Sequence, residues 1–262
     1  VGLARSGLAA SEALAAQGAR VVAFDRDESV DAGRLPDIGV EVRLGGEEEL
    51  VDVLLQGTDL VVKSPGVPGS TPLVAGANAR AIPVWSELEL GARLLQNPFL
   101  AITGSNGKTT TTALLGEMFR AAQVPAEVAG NIGRAVTSLV GSTDPSAWIV
   151  CEVGVQQLDD VDTFRPGIAV LLNLEPDHLD LYGTFEWYAD TKLRIFEQQT
   201  EDDVAIVPRD AVPFPGGASL IEFSADDPLP AEPLIPGEHN RENAAAATAA
   251  ARAAGLPDDA IA

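Results

Sequence analysis

The 262-residue sequence predicts an α/β protein built from two parallel-sheet domains, and three observations carry that prediction. Short apolar runs of strand length alternate with stretches whose apolar residues follow helical spacing. A glycine-rich turn, Gly104-Ser105-Asn106-Gly107-Lys108-Thr109, stands directly between a strand and a helix, the setting in which backbone N–H groups can hold phosphate. Asn97-Pro98 breaks the alternation and divides the chain into residues 1–96 and 97–262.

The first segment, Val1-Gly2-Leu3-Ala4-Arg5-Ser6-Gly7, reads as a strand end and a glycine turn. No strand precedes it, so the expectation is that the natural N-terminus lies upstream. From Ser6 the positions Ala9, Ala10, Ala13 and Leu14 follow helical spacing, Gly18 closes the helix, and Arg20 to Phe24 is a buried strand ending in Asp25. Short strands at Leu60 to Val62 and Ile82 to Val84 continue the pattern to Gln96. The second segment opens with the strand Phe99 to Ile102 and runs into the glycine turn, after which Leu114, Leu115, Met118, Phe119 and Ala122 draw an apolar helical stripe. Strands follow at Trp148 to Cys151, Ala169 to Leu172 and Val204 to Val207, a helix runs from Phe185 to Glu197, and an alanine-rich helix from Asn240 to Ala254 ends at Gly255.

Composition narrows the function classes. The 17 Lys and Arg residues against 39 Asp and Glu leave a formal charge of −22, which argues against a nucleic-acid partner, because phosphate backbones are held by clustered cations. A nucleotide ligand is still compatible, since a local nest of N–H groups with a lysine or a metal ion neutralises phosphate inside an acidic protein. The one cysteine, Cys151, excludes an internal disulfide. No charged-then-apolar leader and no apolar run of about 20 residues is visible, so the reading is a soluble, cytoplasmic, monomeric protein without membrane contact.

In the glycine turn, Gly104 and Gly107 let the backbone curl, Lys108 is placed to neutralise the terminal phosphates and Thr109 to offer its hydroxyl to Mg²⁺. The loop is a shortened form of the usual pattern, whose first glycine would fall at Ile102. Glu152 follows the strand Trp148 to Cys151, where open α/β sheets gather ligands, and a carboxylate facing the loop could hold the same magnesium. Alone it is equally a solvated strand-end acid. Phe185, Tyr188, Ala189, Lys192 and Phe196 share one helical face. Lys192 therefore lies on an apolar stripe, where a lysine has a carboxylate partner, a lowered pKa, or a packed stem with its amine reaching water. His178, in Asn173-Leu174-Glu175-Pro176-Asp177-His178-Leu179-Asp180, is by itself as compatible with a structural hydrogen bond as with a ligand role.

Taken together, Ile102 to Thr110, Gly130-Asn131-Ile132-Gly133, Asn173 to Asp180, Thr191-Lys192-Leu193-Arg194-Ile195-Phe196 and Gly237-Glu238-His239-Asn240-Arg241-Glu242-Asn243 resemble the Mur ligase family, in this order and over essentially the whole chain. The resemblance implies a Rossmann-like parallel-sheet domain for residues 1–96, holding a UDP substrate, and a P-loop-type α/β ATPase domain for residues 97–262. With Gly2 to Gly7, Asp25 and Ser64-Pro65-Gly66, the first domain looks like that of the members that add D-glutamate to UDP-N-acetylmuramoyl-L-alanine in peptidoglycan precursor synthesis. ATP would phosphorylate the substrate carboxylate to an acyl phosphate, which the D-glutamate amine then attacks.

On the family pattern, Gly104, Ser105, Asn106, Gly107, Lys108, Thr109 and Thr110 bind ATP, and Thr109 with Glu152 holds a first Mg²⁺. His178 and Lys192 serve a second Mg²⁺, Lys192 after carbamylation by CO₂, and Lys108, His178 and Lys192 are the implied catalytic residues. Asn240 and Asn243 lie near adenine. Ala4, Arg5, Ser6, Asp25, Ser64, Pro65, Gly66 and Asn131 contact the UDP substrate. Two departures stand out. Relatives follow the metal-binding glutamate with two serines and a phenylalanine, whereas this chain reads Glu152-Val153-Gly154-Val155-Gln156-Gln157-Leu158. The family also has a third domain carrying the amino-acid site, while this chain stops at Ala262, so the fragment alone is expected to be inactive.

Other readings compete. Gly2 to Gly7 with Asp25 could be a dinucleotide fingerprint of a dehydrogenase, but the middle glycine of that pattern is Ala4. A non-catalytic nucleotide-binding relative is suggested by the altered segment after Glu152, against which stand Lys108, His178 and Lys192. A folate-type glutamate ligase would share the second domain but not the first.

Overall fold

The computed structural model describes residues 1–177 and 183–262, and they fall into two units. The first comprises Val1–Leu95 with Ala135–Ser142 and Asp159–Asp162, and the second Gln96–Arg134, Thr143–Leu158 and Thr163–Ala262. The two short excursions into the first unit lie in the stretch the sequence reading assigned to the second domain.

In the first unit the chain runs α1 (Arg5–Ala16), β1 (Val22–Asp25), β2 (Glu41–Leu44), α2 (Glu47–Leu55), β3 (Val61–Lys63), α3 (Pro72–Ala79), β4 (Val84–Ser86) and α4 (Glu87–Leu94). β1 pairs with β2 and β3 with β4, both parallel. Val1 and Gly2 lie between the pairs. The Gly2 N–H donates to Phe24 O at 2.8 Å, and the Ser64 N–H donates to Val1 O at 2.9 Å. β2, absent from the sequence reading, alternates exposed and half-buried residues, which is why it lacks an apolar run. Gly7 allows α1 to start against the turn, since a Cβ on it would stand 1.7 Å from the Gly2 carbonyl oxygen.

Buried polar groups tie the two later segments to this unit. Glu87 Oε1 accepts from both the N–H and the hydroxyl of Thr137, each at 2.6 Å. Burial pushes the Glu87 carboxyl up, and the Thr137 bonds only partly offset this. Lys63 pairs with Asp160 at 2.5 Å, and Glu89 Oε2 accepts from the Asp162 N–H at 3.0 Å.

The second unit is one sheet of six parallel strands: β5 (Phe99–Thr103), β6 (Ala126–Gly130), β7 (Trp148–Glu152), β8 (Ile168–Leu171), β9 (Val204–Pro208) and β10 (Ser219–Phe223), in the order β10-β9-β8-β5-β7-β6. β5 and β8 are buried along their whole length, as expected for strands covered on both faces. The edge strands β6 and β10 mix exposed and buried positions. α5 (Lys108–Ala121), α6 (Val155–Leu158), α7 (Phe185–Leu193), α8 (Glu238–Ala253) and α9 (Asp258–Ile261) complete the unit. The core combines Leu100, Ile102, Leu115, Phe119, Val150, Val170 and Ile206 with the alanine face of α8 from Ala245 to Ala251. Each large side chain buried there contributes roughly 1.5–3 kcal/mol. Among the described residues, no helix is long and apolar enough to cross a membrane.

The chain leaves β5 toward β6 and β7 on one side, then crosses to β8, β9 and β10 on the other. The carboxyl end of β5 is thus the point where strand order reverses, and ligands of open α/β sheets bind outside such points.

Gly7→Ala tests the packing of α1 on the first turn. The Cβ meets backbone, which has no rotamer to yield, so a loss of at least about 2 kcal/mol is expected, read as a lowered urea midpoint at unchanged slope.

Candidate phosphate and metal site

Three strand ends build the site in the second unit. Register places Ile102 opposite Glu152 and Thr103 opposite Leu171, so the loop after β5, the acid ending β7 and the residues after β8 lie side by side. Gly104 has φ +155° and Gly107 φ +84°, a region that L side chains rarely adopt. A Cβ on Gly107 would also stand 2.1 Å from Oδ1 of Asn243, itself buried on α8. Gly107 is the N-cap of α5, no side chain caps that end and no acid lies in its first turn. Its orphan N–H groups and positive dipole end suit an anion.

Thr109 Oγ1 donates to Glu152 Oε2 at 3.0 Å, and Asn131 Nδ2 donates to Glu152 Oε1 at 3.0 Å. Glu152 is 2% exposed. A buried carboxylate bonded, among the described residues, by one hydroxyl and one amide retains capacity for a cation, and oxygen donors of this kind suit a hard ion such as Mg²⁺. The residues present therefore fit a magnesium-bound phosphate. Among the described residues, no three His, Cys, Asp or Glu side chains gather as a metal site of their own.

Lys108 Nζ donates to the carbonyl oxygens of Gly104 and Ser105, both at 2.8 Å. Lys192 Nζ donates to the same Gly104 oxygen at 2.8 Å and lies 4.6 Å from the centre of the Tyr188 ring. Lys192 is 1% exposed, so its amine does not reach water. Its pKa falls to about 7, chiefly through burial and then through repulsion by Lys108, with Asp177 opposing. Burial also lowers Lys108, against the pull of Glu152 and Asp177.

The loop is further held by residues to which sequence reasoning gave no role. Asn173 exchanges two hydrogen bonds with the backbone of Asn106, Glu175 accepts from Asn106 Nδ2 at 2.9 Å, and the Tyr188 hydroxyl donates to Ser105 Oγ at 3.3 Å. The signal in the sequence was a polar residue directly after a strand, but it gains meaning only once β8 is known to border β5.

The other expected positions divide between the units. Thr110 is half-buried in the first turn of α5. Asn240 lies at the start of α8 with Nδ2 donating to Pro236 O at 3.0 Å. His178 lies outside the described residues. In the first unit Asp25 accepts from the Leu3 N–H at 2.6 Å and the Asp27 N–H at 3.0 Å, while Ser64 Oγ donates to Gly2 O at 2.8 Å. Ala4 and Arg5 are exposed at the start of α1, Ser6 is half-buried beside them, and Pro65 and Gly66 occupy the turn closed by the Val67 N–H on Ser64 O.

Comparison with known proteins adds independent findings. The profile of the Mur ligase MurD-like N-terminal domain matches residues 1–86, and that of the Mur ligase middle domain matches residues 102–216. The chain is 40% identical over 289 aligned positions to a UDP-N-acetylmuramoylalanine–D-glutamate ligase of Geobacillus kaustophilus, covering 100% of this chain and 64% of that protein. It is 46% identical over 214 positions to the protein of that name from Trichlorobacter lovleyi, covering 80% and 47%. The chain thus spans about 64% of the length of the first of these curated relatives. Among solved structures, the UDP-N-acetylmuramate:L-alanyl-gamma-D-glutamyl-meso-diaminopimelate ligase of Neisseria meningitidis superposes with a TM-score of 0.61 at 18% identity, covering 100% of this chain and 94% of that one. The UDP-N-acetylmuramate–alanine ligase of Thermotoga maritima gives 0.55 at 19%, covering 99% and 65%. These likenesses speak to the fold.

A lysine lowered to about 7 from an unfolded value near 10.4 binds fewer protons in the native than in the unfolded chain between those two values. Stability therefore rises with pH across that window, and the full cost of charging the buried amine is present below pH 7. Urea midpoints in CO₂-free buffer from pH 7 to 10 should rise in the wild type relative to Lys192→Met, which removes the charge and keeps the stem.

Proposed function

The chain belongs to the Mur ligase family, and from that premise we propose that it serves the ATP-dependent joining of D-glutamate to UDP-N-acetylmuramoyl-L-alanine, a cytoplasmic step of peptidoglycan precursor synthesis. The reaction is phosphorylation of the alanyl carboxylate by ATP, followed by attack of the D-glutamate amine on the acyl phosphate and departure of inorganic phosphate. The observation that carries the reading is the convergence of the glycine loop, Thr109, Glu152 and the buried Lys192 at three adjacent carboxyl strand ends.

Each residue has a part in that reading. The N–H groups at the start of α5 and the Lys108 amine bind the phosphate chain, with Lys108 exchanging its bonds to Gly104 and Ser105 for phosphate oxygens. Thr109 and Glu152 would hold one Mg²⁺, and His178 with Lys192 would serve a second. Magnesium supplies the positive charge that lets anionic oxygens approach one another before the γ-phosphoryl group moves. Asn131, hydrogen-bonded to Glu152, orients that carboxylate and faces the substrate. Asn240 and Asn243 flank the adenine. Ala4, Arg5, Ser6, Asp25, Ser64, Pro65 and Gly66 hold the UDP moiety at the carboxyl ends of the first unit's strands.

Lys192 acts here as a carbamate. A neutral amine attacks CO₂ and releases one proton, leaving a carboxylate on the lysine, and an amine whose pKa is about 7 has a substantial neutral fraction near neutral pH, which an ordinary lysine lacks. Burial thus supplies the reactive form, and the carbamate supplies the negative oxygen that a second metal needs.

The reading is tested on the protein in its full natural length by phosphate release with ATP, Mg²⁺ and UDP-N-acetylmuramoyl-L-alanine, with D-glutamate, L-glutamate, L-lysine or no amino acid. Release should require D-glutamate and fall about a hundred- to a thousandfold in Lys192→Ala, the scale of losing a charge-stabilising group. Nucleotide binding without release under any condition would favour the non-catalytic alternative.

A further inference from the structure

We propose that Asn173 is a positioning residue that fixes the crest of the phosphate loop, and through it the affinity for the nucleoside triphosphate. The proposal rests on the nucleotide-binding reading of that loop.

Ser105 and Asn106 are the two residues of the loop between its glycines, and they belong to neither β5 nor α5. Their peptide planes must be set by something else, because the flanking glycines permit a wide range of conformations. The β5–β8 ladder continues past the end of β8: the Leu172 N–H donates to Thr103 O at 3.0 Å, and the Ser105 N–H donates to Asn173 O at 3.1 Å. The Asn173 side chain then takes over from the backbone. Its Oδ1 accepts from the Asn106 N–H at 2.8 Å, and its Nδ2 donates to Asn106 O at 3.2 Å. One residue thereby makes three of the bonds that define the loop crest.

The chemistry of the pair suits an amide. Asn106 presents a donor and an acceptor side by side, and a primary amide answers both from two separate atoms of one side chain. The two bonds also demand the same orientation of the amide, since the N–H needs an oxygen and the carbonyl needs an N–H.

A consequence for the ligand follows. With the N–H groups of Ser105 and Asn106 committed to Asn173, the backbone donors left for phosphate are those at the start of α5, at the N-cap Gly107 and at Lys108, Thr109 and Thr110. Asn173 thus holds the crest in the shape that leaves this turn open, without itself touching phosphate.

The test is isothermal titration of the full-length wild type and Asn173→Ala with ATP in Mg²⁺, and separately with UDP-N-acetylmuramoyl-L-alanine. The expected result is an ATP Kd raised about tenfold, with the Kd of the UDP substrate within twofold of wild type, a split that general destabilisation would not produce. If Asn173→Ala fails to melt cooperatively, Asn173→Ser takes its place in the same comparison. An ATP Kd within twofold of wild type in a folded variant, or equal weakening of both ligands, would overturn the proposal. Absence of ATP binding in the wild type itself would overturn the functional reading as well, and the wild-type titration tells the two failures apart.

Discussion

Everything at the site depends on the register of three parallel strands. Ile102 faces Glu152 across β5 and β7, and Thr103 faces Leu171 across β5 and β8. A slip of one residue in β7 would turn the Glu152 side chain to the other face of the sheet, because side chains alternate with period two. Burial of both faces prevents the slip: Ile149, Val150 and Cys151 are fully buried on β7, as are Leu100, Ala101 and Ile102 on β5. The hydrophobic core therefore sets the position of a carboxylate, and it does so from both sides of the loop. The Val153 N–H donates to Ile102 O, and Thr103 Oγ1 donates to Val153 O at 3.0 Å, so the ladder extends to the point where the chain turns away.

Within that frame the electrostatics run against the bulk composition. A protein of formal charge −22 places two lysine amines on one carbonyl oxygen, that of Gly104. Among the described residues neither amine has an ion-pair partner within 4 Å, so the two repel across the Gly104 carbonyl, with only Lys108 also bonded to the Ser105 oxygen. Lys192 lies deeper, and burial lowers its pKa to about 7; burial lowers Lys108 as well, while that half-buried side chain stays nearer the solvent and the α5 terminus. An anion entering beside Lys108 would relieve this repulsion, whereas a net-neutral ligand would not. The acidic surface elsewhere is no obstacle, since charges beyond about 10 Å are screened at ordinary ionic strength.

The central architecture was legible in the sequence because it consists of strands buried on both faces. Phe99 to Ile102, Trp148 to Cys151 and Ala169 to Leu172 read as unbroken apolar runs, and the observed strands Phe99–Thr103, Trp148–Glu152 and Ile168–Leu171 agree with them within a residue at each end. The strands that went unread are edge or half-exposed ones. Glu41–Leu44 and Ser219–Phe223 carry Glu, Arg or Ser at exposed positions, and Ala126–Gly130 interrupts its apolar residues with a half-buried Glu127 and exposes Val128, which erases the run without removing the strand. The helix expected from Phe185 to Glu197 changes at Arg194 into a 3-10 turn ending at Phe196; its apolar stripe nevertheless put Lys192 on the buried side. Glycine and lysine at the loop were legible from their order along the chain. Asn173, Glu175 and the Tyr188 hydroxyl were not, because their partners are some 67 to 83 residues away and become neighbours only through strand order.

The altered segment after Glu152 can be judged by what its backbone does. Val153 is fully buried and keeps both ladder bonds to β5, so its side chain serves the core. Gly154 starts the turn into α6, and its N–H donates to Gln157 Oε1 at 3.0 Å, a bond that caps the turn from a side chain 1% exposed. A Cβ at Gly154 would meet Asn131 Oδ1 at 3.2 Å, tighter than ordinary contact but at the end of an exposed side chain. The glycine thus leaves room beside the amide that bonds Glu152, and the turn itself does not need a hydroxyl to form. The proposed metal side of the site, Thr109 with Glu152 and Asn131, is built without the residues that differ. On the proposed reading, the departure alters the surface beside Asn131 and leaves in place the Thr109, Glu152 and Asn131 contacts at the strand ends.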